Sequence, residues 1–480
     1  MCSVLGLCSR QGQDVHPFLV DMLYATAHRG RDGFGVSVDG QTVSASQLKP
    51  LQARSLEGCL GLAHSRLGIT GHGFQPIKGC DSGLSVAHNG ELYNFEALNQ
   101  GLSRHQFLST SDSETLAHFL EEALRTQSPL QAVRSFMQVA RGDYAVAFTY
   151  KGVLHAFRDC LGVKPLWFGS NAKFHALASE PIALKRLDIT FPQPLLPGHL
   201  LSFSPDGFSS QPVFTLDDFR RLVPGTHSLA ALRASFDDSI ALRTRALKKA
   251  GVFFSGGVDS SLIAKAVNQH VNQTLLFTVG FKGAEDLGFA RRLARDEGFD
   301  LVVREVQPRE LNGYVLATLK ALMFFDELQL QIGVPTYLAA EAARQANCKV
   351  VFSGQGSDEV FAGYSAYKDI LAKSGFPAVE EEIWATLSNL WNRNLYRDDA
   401  LTARHSLELR VPFLDTEFLR QAMAFPASEK IADSTDSIRK HPVRALAREF
   451  GLPEYVWKRP KKALQYGSGL GKEVGRLYRA

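Results

Sequence analysis

The sequence predicts a chain of two α/β domains, an α+β first part and a second part built on a doubly wound parallel sheet. Three observations carry that prediction. Apolar runs at Val252–Phe254, Leu276–Phe281, Leu301–Val306 and Lys349–Phe352 are separated by helical patterns, which is the alternation a parallel sheet needs. From Ser204 to Ser228 the chain turns polar and rich in Ser, Pro and Gly, with no sustained periodicity, so a boundary belongs there. The 480 residues, 45% of them hydrophobic, suffice for two sizeable cores. The expected limits are 2–205 for the first domain, 206–228 for a linker and 229–480 for the second domain.

Charge and patterning exclude several classes of function. A formal net charge of +4, without a dense Lys/Arg block, gives no reason to expect nucleic acid or a membrane surface as partner. No apolar run approaches the roughly 18 residues of a membrane span, and no basic-then-apolar leader opens the chain, so a cytoplasmic protein is expected. Cysteines 2, 8, 59, 80, 160 and 348 show no metal-ligand spacing and are too sparse for a disulfide framework. There is no internal repeat or low-complexity tract.

At the start of the chain, Val4-Leu5-Gly6-Leu7 reads as a strand directly after Cys2. Removal of the initiator Met before a small residue would leave Cys2 with a free α-amino group able to act as base for its own thiol. A Cys after Met carries little by itself, but the motifs that follow give it a context. They are His28-Arg29-Gly30-Arg31-Asp32-Gly33, His64-Ser65-Arg66-Leu67-Gly68-Ile69, His88-Asn89-Gly90-Glu91-Leu92-Tyr93-Asn94 and Ser111-Asp112-Ser113-Glu114. In that order, over roughly the first 200 residues, they resemble the glutaminase domain of the N-terminal-nucleophile amidotransferases.

The resemblance implies Cys2 as nucleophile on the glutamine amide, with the Asn89 side chain and the Gly90 amide as oxyanion donors. It implies Arg66 on the glutamine carboxylate, and Glu91 and Asp112 on its ammonium. The chemistry agrees, because a zwitterion needs a fixed cation and an acid, and a tetrahedral intermediate needs preorganised donors. Arg31 departs from the Pro usual after His-Arg-Gly, a change expected to alter a loop. Strands are expected at Asp143–Tyr150, Val153–Asp159 and Phe174–Ala178. With Arg158–Leu166 and Leu196–His199 as further landmarks, the resemblance implies an N-terminal-nucleophile hydrolase αββα sandwich, two stacked antiparallel sheets between helical layers.

In the second part, Gly251 to Ser261 reads GVFFSGGVDSS: a buried strand, a tight glycine loop and a helix. Gly256 and Gly257 let the backbone approach an anion, and the hydroxyls of Ser255, Ser260 and Ser261 add donors. The loop lacks the Lys of the common phosphate loop and carries Asp259 instead, so a metal ion would have to supply the cation. It resembles the pyrophosphatase-type loop of enzymes that cleave ATP to AMP and pyrophosphate. A second strand end carries Ser353-Gly354-Gln355-Gly356-Ser357-Asp358-Glu359. Asp259 and Asp358 are the expected ligands of Mg²⁺, with Glu359 either joining them or capping a helix. Val279 and Gly280 are placed at the adenine and ribose, and Ser353 and Gly354 at the phosphates.

With SGGVDSS, SGQGSDEVFAGY and His405-Ser406-Leu407-Glu408-Leu409-Arg410-Val411-Pro412-Phe413-Leu414-Asp415, the second part resembles the synthetase domain of asparagine synthetase, an ATP-pyrophosphatase fold. In Lys458-Arg459-Pro460-Lys461-Lys462, Lys461 aligns with a catalytic Lys that would neutralise the departing pyrophosphate. The resemblance implies glutamine hydrolysis at Cys2, adenylation of a carboxylate by ATP and Mg²⁺, and attack of ammonia on the acyl-adenylate. The implied partners are glutamine, ATP and a carboxylate acceptor; assembly as a homodimer is compatible with it.

Two departures concern the acceptor. The family has Glu where this chain has Gln355, which loses a charge at constant size. In Phe325-Asp326-Glu327-Leu328-Gln329-Leu330-Gln331-Ile332-Gly333-Val334-Pro335-Thr336-Tyr337, Leu328 and Gln331 stand where a Thr and an Arg are expected near substrate. Aspartate is the leading acceptor. The alternatives are another carboxylate, ring closure by an internal amine, which needs no glutaminase, and a nucleotide- or glutamine-binding regulator with an inactive synthetase half.

Overall fold

The computed structural model describes residues 1–80, 83–324, 326–461 and 464–479. Phe325 and Lys462, which fall in the stretches quoted above, lie outside the described residues. The chain forms two compact units that divide between Arg221 and Leu222.

The first unit contains two antiparallel sheets. One has seven strands in the order Gln193–Pro194, Trp167–Ser170, Phe174–Ala178, Ser3–Ser9, Leu60–Arg66, Gly33–Val38 and Gln41–Ala45. The other has six, in the order Gly207–Pro212, His199–Ser204, Val153–Arg158, Gly142–Tyr150, Ser85–Leu92 and Ile77–Lys78. Ser3–Ser9 is buried along its whole length because both of its faces are covered. Leu5 and Leu7 point into one core with the helix His16–Thr26, while Val4 and Cys8 point into another shared with Ala87, Ala145 and Ala156 of the second sheet. Gly6 lies where a Cβ would stand 3.0 Å from the side chains of Leu154 and Leu177, so the close approach of the sheets requires a glycine. The helix Asp112–Leu124 packs on Ser85–Leu92, completing the αββα layering.

The segment 206–228, expected as a linker, carries the strand Gly207–Pro212 and the short helix Leu216–Arg220. Its polar composition suits an edge strand, paired on one side only with His199–Ser204 and largely exposed.

The second unit is built on a five-stranded parallel sheet in the order Asp300–Val306, Gln273–Phe281, Lys249–Phe253, Val350–Phe352 and Glu408–Arg410. Its first four strands are those read from the sequence. The fifth, three residues inside the HSLELRVPFLD motif, was too short to show a pattern of its own. Strand order reverses between Lys249–Phe253 and Val350–Phe352, so the crevice beyond their C-terminal ends is the expected ligand position. Among the described residues no helix is long and apolar enough to cross a membrane.

Candidate active sites

In the first unit the sheet register brings two of the predicted glutaminase residues, Cys2 and Arg66, side by side. Ser3 pairs with Ser65, which brings Cys2 beside Arg66, and the Leu67 amide donates to Cys2 Sγ at 3.4 Å. The Arg29 Nε donates to the Cys2 carbonyl at 2.8 Å, while its Nη1 reaches Glu180 Oε1 at 2.8 Å. Burial opposes ionisation of Glu180, but His28 and Arg29 outweigh it and hold the carboxyl below the usual range. Residue 2 is thus held through its backbone by a buried, charge-compensated arginine. Met1 is buried too, its ammonium donating to the Arg29 carbonyl at 3.1 Å and its sulfur 3.5 Å from Lys164 Nζ.

Asn89, Gly90 and Glu91 follow one another on Ser85–Leu92. Asp112, the first residue of its helix, accepts from the Leu92 amide at 2.8 Å, which fixes that helix N-terminus against the strand. Arg66 Nη2 donates to the carbonyls of Thr70 and Gly71, at 3.2 and 2.7 Å. A Cβ on Gly71 would meet the Thr110 carbonyl at 2.2 Å, so the Arg66 loop lies directly against the residues leading to Asp112. Asn89 is 1% exposed, and among the described residues neither its Oδ1 nor its Nδ2 has a hydrogen-bond partner. Leaving such groups unpaired costs about 1–3 kcal/mol each. A buried amide kept in that state is chemically ready for a ligand oxygen.

In the second unit a cavity of about 750 Å³ lies at the switch point of the parallel sheet. Ser255, Gly257, Asp259, Ser260, Val279, Ser353, Gly354, Asp358 and Lys461 all line it. Gly256 and Ser261 do not, although Gly256 turns the loop in the left-handed region at φ +69°. Ser261 faces inward from the helix Val258–Val267 and is fully buried. Glu359 is likewise off the wall, accepting from Tyr364 Oη at 2.5 Å and Asn394 Nδ2 at 3.2 Å. Burial and the charge of Asp358 raise its carboxyl.

The centre of this cavity is an ionic cluster that sequence reasoning only half found. Lys440 Nζ lies 2.7 Å from Asp259 Oδ2 and 2.6 Å from Asp358 Oδ1, while Lys461 Nζ lies 2.6 Å from Asp358 Oδ2. Burial works against the ionised form of Asp358, yet Lys440 and Lys461 outweigh it and hold the carboxyl well below the usual range. The acids raise Lys461 in turn, against its own burial. Lys440 was missed because basic residues near a C-terminus read as solvated. The signal that could have found it is the pair Arg439-Lys440 just before Pro442, where a helix begins. Both residues sit at φ near +55°, a costly conformation for side-chain-bearing residues, and it aims Lys440 at the acids. Gly363 leaves the room, since a Cβ there would lie 2.0 Å from Asp358 Oδ1 and 2.2 Å from Lys440 Cε.

The two carboxylates converge on one cationic point from the first turns of two helices, Val258–Val267 and Ser357–Val360, a donor set that suits a divalent ion bridging phosphates. Arg459 buttresses the first loop, donating from Nη1 to the Ser255 carbonyl at 3.2 Å and from Nη2 to Asp286 Oδ1 at 2.9 Å.

One wall of the cavity belongs to the helix Glu327–Gln345, through Leu328, Gln329, Ile332, Thr336 and Ala339. This corrects the expectation for Gln331. Two residues on from Gln329, it is turned about 200° around the helix and bonds Glu327 Oε1 at 3.0 Å instead. Gln329 is the glutamine on this wall, accepting from Arg397 Nη1 at 2.8 Å. Arg397 Nε holds Asp398 Oδ1 at 2.7 Å, and Gln355 Nε2 donates to Asp398 Oδ2 at 2.5 Å. All four side chains line the cavity.

The comparisons with known proteins cover both units. The asparagine synthase family model matches residues 231–394 and 374–478, and a glutamine amidotransferase domain model matches 52–237. A Methanocaldococcus jannaschii protein described as putative asparagine synthetase (glutamine-hydrolysing) 1 is 33% identical, over 99% of this chain and 95% of its own. The glutamine-hydrolysing asparagine synthetase of Brassica oleracea is 28% identical, over 98% of this chain and 78% of its own. Among solved structures, the glutamine phosphoribosylpyrophosphate amidotransferase of B. subtilis is 18% identical, with a TM-score of 0.40, covering 63% of this chain and 65% of that one.

Proposed function

Since the chain belongs to the asparagine synthase family, as a glutamine-hydrolysing ligase, we propose that its acceptor is aspartate and its product asparagine. Once Met1 is removed, the Cys2 α-amino group takes the thiol proton and the thiolate attacks the glutamine amide. Asn89 Nδ2 and the Gly90 N–H receive the developing oxyanion, the Cys2 α-ammonium returns its proton to the departing nitrogen so that ammonia leaves, and water releases glutamate from the thioester and restores the thiol. Arg66 holds the glutamine carboxylate, and Asp112 and Glu91 its ammonium. The observation that carries this half is the buried Asn89 amide with no partner.

In the second unit the side-chain carboxylate of aspartate attacks the α-phosphorus of ATP, pyrophosphate leaves, and ammonia displaces AMP from the acyl-adenylate. Ser255, Gly257 and Ser260 cradle the phosphates, and Lys461 and Lys440 meet the charge of the leaving pyrophosphate. Asp259 and Asp358 would hold Mg²⁺, which supplies further neutralisation of those oxygens. The observation that carries the choice of acceptor is Asp398. Gln355 lacks the charge that the family's Glu supplies, but a carboxylate stands 2.5 Å from its amide on the same wall and can face an amino-acid ammonium.

The test is product analysis by mass spectrometry after incubation with Mg-ATP, glutamine and aspartate. Asparagine, AMP and pyrophosphate in equal amounts are expected. Glutamine hydrolysis without aspartate turnover would leave the two half-reactions standing and move the acceptor to another carboxylate.

A further inference from the structure

The first unit contains a second cluster of chemically competent side chains that the amidotransferase reaction does not use. Cys80 follows the strand Ile77–Lys78, His105 lies in the loop before the helix Asp112–Leu124, and His118 and Glu121 sit one turn apart on that helix. One ligand atom from each lies within 4.8 Å of the others. Glu121 Oε2 is 3.3 Å from His105 Nδ1 and 3.3 Å from His118 Nδ1, and His118 Nδ1 is 3.8 Å from Cys80 Sγ.

These spacings match the edges of a tetrahedron. Zinc–nitrogen or zinc–oxygen bonds of about 2.0–2.1 Å put two such ligands about 3.3 Å apart, and a sulfur at about 2.3 Å lengthens the edge to roughly 3.6 Å. Burial selects further: Glu121 is 0% exposed and both histidines are buried, while Cys80 is exposed and leaves the cluster open to an entering ion. A thiolate, a carboxylate and two neutral imidazoles balance a dication.

The far sides of the imidazoles supply an independent observation. Each histidine turns Nδ1 inward; His105 Nε2 hydrogen-bonds a further carboxylate, Glu122 Oε2 at 3.3 Å, while the buried His118 Nε2 lies 3.5 Å from Glu114 Oε1 without a hydrogen bond. A carboxylate on the distal nitrogen is how metal-binding histidines are oriented and made more basic.

We propose that Cys80, His105, His118 and Glu121 form a structural zinc site, closed by four protein ligands. Thiolate with imidazole favours zinc over magnesium or calcium, and a site without an open position holds structure rather than activating water. The ion ties the Cys80 turn and the His105 loop to the helix that begins at Asp112. The proposal stands whether or not the glutaminase reading does, because its evidence is metal geometry alone.

The experiment uses the full chain, stripped with a chelator, reloaded with zinc and dialysed before elemental analysis. About one zinc per chain is expected, and cobalt in its place should give thiolate-to-metal charge-transfer absorption. Cys80→Ser, at an exposed position that should fold normally, should abolish that absorption and weaken zinc binding at least tenfold. Glu122→Gln, outside the ligand set, should weaken binding by roughly 10–100-fold while keeping the thiolate-to-cobalt absorption. Wild-type chain that retains less than about a tenth of an equivalent, or Cys80→Ser that binds zinc as tightly as wild type, would overturn the site. If His118→Gln fails to fold, the cobalt spectrum of Cys80→Ser still decides.

Discussion

On the wall proposed to meet the acceptor, the charge beside Gln355 is carried by Asp398. Gln355 cannot be anionic, and its amide donates to Asp398, whose other oxygen is held by Arg397. The negative charge beside Gln355 on this wall is therefore that of Asp398. Asp398→Asn should lower kcat/KM for the acceptor by about 100-fold, the roughly 3 kcal/mol of a buried charge contact, while changing the KM for ATP by less than about threefold. Gln355→Glu should also lose activity, because two carboxylates would crowd the same point. The double variant returns one charge to the pair and should exceed both single variants; if it is the weakest of the three, Asp398 acts only by supporting Arg397. Gln355 was legible in the sequence because it sits inside a motif. Asp398 was not, since an acid on a helix 43 residues later ordinarily faces water and only the fold brings it to the wall.

At the scale of elements, strands with both faces covered were the readable ones. Val252, Leu276 and Val351 lie in continuous apolar runs, whereas the edge strand Gly207–Pro212 buries none of its residues and reads as a linker. Helix faces were harder to assign. Of the two residues expected near substrate on Glu327–Gln345, Leu328 lines the cavity and Gln331 does not, a difference of helix face that only packing decides. The short helix Ala427–Lys430 makes a testable case. Lys430 is 2% exposed, with Nζ 4.0 Å from Met423 Sδ and 5.9 Å from the Phe361 ring centre, and burial brings its ammonium from 10.5 down to about 7. Between those values the unfolded chain binds more protons than the folded one, so this lysine makes stability rise with pH, by up to about 1.4 kcal/mol per unit. Below pH 7 both states are protonated and the slope vanishes. Lys430→Met should therefore stabilise the protein at pH 7, and its advantage should shrink as pH approaches 10. Urea midpoints of the two proteins at pH 7, 8 and 9 measure this, and a constant difference would mean that Lys430 does not titrate across that window.

At the scale of the whole molecule, the two sites were legible to different depths. The phosphate loop, the cysteine and Asn89 were all visible within local motifs, but Lys440 depends on a backbone conformation and a fold that no single stretch encodes. If each unit carries one half-reaction, lesions in them should separate cleanly. Cys2→Ala removes the thiol but leaves the ionic cluster of Asp259, Asp358, Lys440 and Lys461 untouched, so glutamine-dependent synthesis should disappear while synthesis from added ammonia continues. Asp259→Asn does the reverse. It takes one carboxylate from Lys440 and from the proposed Mg²⁺, and pyrophosphate release should fall by at least 100-fold with glutamine hydrolysis still measurable. Loss of ammonia-dependent synthesis in properly folded Cys2→Ala would show that the thiol serves both reactions, and the division of labour would fail. The intact mass of the purified chain belongs to the same experiment, because Cys2 can use its own amino group only in protein lighter by one methionine. A fraction that keeps Met1, whose ammonium is held at the Arg29 carbonyl, should be silent toward glutamine yet active with ammonia.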